Sequence, residues 1–161
     1  MSKFRSIKSL VAIASVVGLT STSLAATTAT VPLGGTVTTT LAVTSTTASG
    51  ASTLSLASGA QIVKVADISL TTNNDQGLTL TASSGNLTKT GGIAIAYQVT
   101  SVADAAVAPT TFAVTSGTNY TVGTTAAGTS AVDLYIKYTP GATQDPGTYA
   151  GEITLTVTDN P

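Results

Sequence analysis

The chain has 161 residues, a formal net charge of −1, 42% hydrophobic and 8% charged residues, and no histidine, cysteine or tryptophan. Without His or Cys it has no Ser–His or Cys–His nucleophilic pair, none of the usual zinc ligand sets and no disulfide. Glu152 is the only Glu, and the Asp residues are scattered over turns and outward strand positions, so neither an enzyme nor a cofactor or metal site is expected.

Residues 1–25 have the layout of a secretory signal peptide: basic Lys3, Arg5 and Lys8, an apolar run from Leu10 to Leu19, and the small-x-small end Ser23-Leu24-Ala25. The apolar run is too short for a bilayer core, which needs about 20 residues, so stable membrane insertion is not expected. Cleavage after Ala25 would leave Lys64, Lys89 and Lys137 against seven carboxylates, a net charge of −4. No basic patch survives, which argues against a nucleic-acid partner.

The mature chain is rich in Thr and alternates it with Val, Ile and Leu, the pattern of half-buried strands. The first stretch, TATVPLGGTVTTTLAV (28–43), places Ala29, Val31, Leu33, Gly35, Val37, Leu41 and Val43 on one face. At about 15 residues it is far longer than the usual strand of 5–6. Two strands in series explain that length: residues 37–43 as the domain's own first strand, and residues 29–37 free to pair elsewhere. The alternative is an ordinary edge strand, where Pro32, which cannot donate to a ladder, would be at home.

Further strands are expected at Thr53–Ala57, Gln61–Leu70 and Gly77–Ala82, then at Ile93–Val102, which places Ile93, Ile95, Tyr97 and Val99 together. TTNNDQG (71–77) is a polar turn whose Asn73, Asn74 and Asp75 offer oxygens to a hard cation but too few carboxylates to hold calcium. SSGNLTKTGG (83–92) reads as a loop. FAVTS and YTVG are short strand candidates, and TTAAGTS is a connection. VDLYIKY (132–138) turns Val132, Leu134, Ile136 and Tyr138 inward and Asp133, Tyr135 and Lys137 outward. After the turn TPGATQDPG, YAGEITLTV (149–157) aligns Tyr149, Gly151, Ile153, Leu155 and Val157. Asn86 and Asn119 head glycosylation sequons of the kind a Thr-rich chain produces by chance. Seven or eight short strands with no helical period give an all-β sandwich or barrel.

GTYAGEITLTVTDN at the end resembles the closing strand of chaperone–usher pilins, and TVPLGGTV near the front resembles their N-terminal donor strand. The lack of cysteine brings the chain nearest to the capsule-like fibre antigens of that family. The resemblance covers about 30 residues at the two ends. It implies an immunoglobulin-like β-sandwich (37–161) lacking its final strand, preceded by a donor extension (26–36). It further implies a periplasmic chaperone and an outer-membrane usher during assembly. Identical or related subunits would then join head-to-tail in a surface fibre serving adhesion or biofilm formation. Carried over by position, the donor residues are Val31, Leu33, Gly35 and Val37, and the acceptor groove is lined by Tyr149, Ile153, Leu155 and Val157. The competing reading is a self-complete immunoglobulin-like surface domain that binds a glycan or matrix partner. It is short of anchors, since the mature chain has no Trp and no Arg.

Overall fold

Alternating Thr and aliphatic residues give each strand one apolar face. The computed structural model, which describes residues 29–161, buries these faces in a core between two antiparallel sheets. The signal-peptide reading and residues 26–28 lie outside the described residues. The strands are β1 (Leu41–Thr47), β2 (Gln61–Thr72), β3 (Leu78–Ala82), β4 (Asn86–Leu87), β5 (Ile95–Ala103), β6 (Tyr120–Gly123), β7 (Gly128–Tyr138) and β8 (Leu155–Asp159). Five form one sheet in the order β1-β2-β7-β5-β4, and three form the other in the order β6-β3-β8. The only helical piece among the described residues is a 3-10 turn at Ser49–Ser52, and no helix there is long and apolar enough to cross a membrane. The chain is an all-β, sandwich-like fold.

The near-continuous aliphatics of β2 have a structural reason. Between Lys64 and Ala66 the register with β7 shifts by one residue, a bulge that buries both Val65 and Ala66. The phase of alternation changes there: Ala66, Ile68, Leu70 and Thr72 are all buried. Without the bulge Asp67 would turn inward. With it, Lys64 and Asp67 share the outer face, with Nζ 2.6 Å from Oδ1.

The core is filled from both sheets by Ile68, Leu70, Leu78, Leu80, Val99, Leu134 and Tyr138, each at most 2% exposed. Tyr97 and Tyr138 point inward as expected, and each buried hydroxyl has an acceptor. Tyr97 donates to the Glu152 carbonyl (2.6 Å) and Tyr138 to the Ser55 carbonyl (3.0 Å).

Several expected strands differ. Residues 29–40 carry no strand, and β1 begins only at Leu41. Alternation supplies a face but not a neighbour, and residues 29–39 have no paired strand beside them. Thr53–Ala57 is irregular after the 3-10 turn. Its Leu54 and Leu56 still pack against the core, but the Ser55 carbonyl goes to a tyrosine rather than a ladder. FAVTS is also irregular, since the Val114 carbonyl accepts from the Gln98 side chain and the Ser116 hydroxyl donates to the Tyr97 carbonyl. That connection lies against the outer face of β5 and β7, with Lys137 over the Phe112 ring at 6.0 Å. Asp133 and Tyr135 do sit on the outer face, yet both are buried. Ile93 lies before β5 and is exposed. Gly128–Ser130 extends β7 instead of forming a loop, and Asn86–Leu87 makes a two-residue strand with β5.

Candidate functional site: an apolar groove between two sheet edges

The turn between β2 and β3 decides where the chain ends are held. Gly77 closes it with φ +80, where a Cβ would meet the Thr124 backbone at 2.2 Å, so only glycine fits. Within the turn, the Asn73 and Asn74 side chains are committed to the protein itself. Asn73 Oδ1 accepts the Thr40 N–H at 2.8 Å and its Nδ2 donates to the Thr38 carbonyl at 2.8 Å. Asn74 Nδ2 donates to the Asn160 carbonyl at 2.6 Å, and its Oδ1 accepts the Gln76 N–H at 2.9 Å. The segment is a polar turn whose Asn side chains anchor neighbouring chain.

β1 is one edge of the five-stranded sheet and β8 one edge of the three-stranded sheet, and the two edges approach each other. Among the described residues no strand pairs with either on its free side. The consequence is visible in two nearly identical sequences. In β3, LTLTA, the residues Leu78, Leu80 and Ala82 are essentially inaccessible, whereas Leu155 and Val157 in the ITLTV run of β8 are only partly buried. The side chains are alike, so the difference lies in their neighbours: β3 is flanked on both sides and β8 on one.

Between these edges lies a cavity of about 260 Å³, far more than the ~30 Å³ share of one water. Its rim is Ser45 and Thr47 on one side and Gly151 to Ile153 with Leu155 on the other. Its floor is the core itself: Val65, Ala66, Leu87, Tyr97, Leu134 and Ile136. The floor belongs wholly to the five-stranded sheet, and Leu155 at the rim is the three-stranded sheet's contribution to the lining. Gly151 keeps the wall thin, because a Cβ there would meet Leu87 Cδ2 at 3.0 Å and the Asn86 carbonyl at 3.1 Å. Burial holds the pKa of the Tyr97 hydroxyl above its ordinary value, so it gives up its proton less readily, with the charge of Glu152 a second cause.

Of the four expected acceptor residues, Ile153 and Leu155 line this cavity, and Val157 packs half-buried farther along β8. Tyr149 lies in a separate cleft with Leu54, Leu56 and Gly147, its hydroxyl donating to Gln144 Oε1 at 3.1 Å. The floor residues of β2, β5 and β7 were not legible as site residues, because inward alternation marks every core position alike. The expected donor residues Val31, Leu33 and Val37 are 79%, 94% and 84% exposed, and nothing lies within 4 Å of a Cβ built on Gly35.

A second grouping, unexpected from the sequence, brings Asp67, Asp104 and Asp133 together on the outer face. It already holds a cation, since Lys64 Nζ is 2.6 Å from Asp67 and 2.9 Å from Asp133. The hydrogen bond with Lys64 holds the Asp67 carboxyl below its ordinary value, and the Asp67 bond, then the Asp133 bond, raises the Lys64 ammonium. Neither a family model nor a curated protein matches the chain.

Proposed function

We propose that this chain is a secreted structural subunit of a surface fibre, assembled by strand addition. The groove between β1 and β8 takes the alternating segment Val31, Leu33, Gly35 and Val37 of another copy. The fold is then an immunoglobulin-like sandwich whose last strand comes from a neighbour, with the chaperone–usher pilins as its nearest parallel. The observation that carries this reading is the partly buried apolar face of β8 beside a slot that opens onto the core, in a chain whose residues 29–37 alternate apolar side chains. An extended segment laid in the slot would supply ladder hydrogen bonds to both free edges and bury its alternate side chains.

Magnitudes favour it. Full burial of Val31, Leu33 and Val37 contributes roughly 1.5–3 kcal/mol each, and each ladder hydrogen bond about 1 kcal/mol net. Together these exceed the lower range of ordering and association costs. Each copy gives one segment and receives another, so the contact does not close on itself and propagates as a filament. A chaperone that occupies the groove before assembly, and an usher that releases the subunit to the surface, fit the same need to keep the slot covered.

Electron microscopy tests the reading. The intact chain forms filaments, and the chain lacking residues 26–36 does not. Filaments of unchanged appearance from the shortened chain would refute it.

A further inference from the structure

The turn between β2 and β3 fastens both borders of the groove. Asn73 binds residues 38 and 40, which lead into β1; besides its two side-chain bonds, its N–H donates to the Thr40 carbonyl at 3.1 Å. Asn74 binds Asn160, and the Thr72 hydroxyl donates to Asp159 Oδ1 at 2.7 Å, so the end of β8 is held by the same turn. The groove is laced shut at this end. The cavity opens at the other, beside Ser45 and Thr47 on β1 and Gly151 to Leu155 on the opposite side.

This lacing limits how far the residues before β1 can reach back along their own groove. A chain folding onto the free edge of β1 must reverse before Thr38, which is already held. The tightest common hairpin spends two residues on its turn. With residues 36 and 37 in that turn, Gly35 lies beside Thr38, Leu33 beside Thr40, Val31 beside Ala42 and Ala29 beside Thr44. Any longer turn brings these residues nearer the laced end. Val31 therefore stops about three residues, or ~10 Å, short of Ser45, and Leu33 about five residues, or ~16 Å, short. This holds whatever precedes residue 29.

We propose that the Asn73–Asn74 turn prevents the groove from being filled by its own chain, so that its apolar occupant is the segment 29–37 of a second copy. The inference rests on the strand-addition reading and adds the device that makes it intermolecular. Asn73 is a positioning residue: it fixes the register from which the segment departs.

The test compares the full chain with a variant carrying eight Gly and Ser residues between Thr36 and Val37, which lengthens the tether by up to ~26 Å. Each is sized by light scattering over a hundredfold concentration range, with and without Leu33→Glu. The wild type should gain mass with concentration and lose that gain with Leu33→Glu, while the lengthened chain stays monomeric throughout. The proposal is overturned if the lengthened chain associates as the wild type does. It is equally overturned if the wild type is a monomer at every concentration and Leu33→Glu lowers its unfolding midpoint, since its own segment then fills the groove. If Leu33→Glu changes neither association nor stability in either chain, the groove does not take this segment, and the parent reading falls with the inference.

Discussion

At the scale of single residues, the polar side chains of this Thr-rich chain act as fasteners. Asn160 is the densest of them. Its Nδ2 donates to the carbonyls of Gln76 (2.8 Å) and Thr124 (3.0 Å), and its Oδ1 accepts the Thr79 hydroxyl at 2.7 Å. Replacing Asn160 with Ala removes three bonds and should lower unfolding free energy by about 2–3 kcal/mol in a denaturant titration. Nothing in the sequence TDNP signals this, because its partners are 36 to 84 residues away. The buried tyrosines give a pH signature. Burial raises both Tyr97 and Tyr138 above the ordinary value of 10, so the unfolded chain gives up these protons first. Their contribution to stability is complete below pH 10 and is lost as the pH climbs through the raised values. Tyr97→Phe should therefore move the onset of alkaline unfolding upward. At neutral pH it should cost about 1 kcal/mol, because the Glu152 carbonyl loses its donor. Thermal unfolding at pH 7 and above pH 10 checks both signs.

At the scale of elements, β3 and β8 are a natural experiment in what a neighbour contributes. Leu80→Ala deletes a fully buried side chain and should cost roughly 2–5 kcal/mol. Leu155→Ala, on a partly buried face, should cost less than Leu80→Ala in dilute protein, and approach the Leu80 value once the protein has assembled. Equal costs for the two changes in dilute monomer would mean that β8 is already covered. Much at this scale was legible beforehand. Alternation placed β2, β3, β5 and the second half of β7 close to their observed positions, and gave the inward faces of Tyr97, Leu134, Ile136 and Tyr138. Of the strand expected at 149–157 only the last three residues belong to β8, which runs Leu155–Asp159, while residues 151–154 are irregular and Ala150 makes a single bridge to Thr88. It failed where a face was present without a partner, as in residues 29–40, and where pairing is set from outside the segment, as with Asn86–Leu87 in a polar loop. The bulge at Val65 was equally hidden, since a continuous aliphatic run is compatible with either phase. Asp133 and Tyr135 read as outward and are, but the irregular segment around Phe112 and Val114 that goes with their burial has no strand pattern to announce it.

At the scale of the molecule, the sandwich has two sheet edges facing one another across an open slot, and that feature organises the rest. The Lys64–Asp67–Asp133 contacts strap β2 to β7 on the outer face, away from the slot, while the Asn73–Asn74 turn holds its borders at one end. Which edges stay unpaired was beyond the reach of pattern reading, because periodicity reports the face of a strand and not its neighbours. The absence of cysteine removes disulfides as a link between copies. Complementation between two defective copies tests strand addition most directly. Leu33→Glu spoils the segment that is given, and Ile153→Glu spoils the groove that receives. Each variant, folded by its far-ultraviolet spectrum, should remain a monomer when alone. Mixed in equal amounts, they should form a one-to-one dimer and grow no further, since only one sound segment and one sound groove remain per pair. A mixture that stays monomeric, or either variant alone assembling like the wild type, would contradict the account.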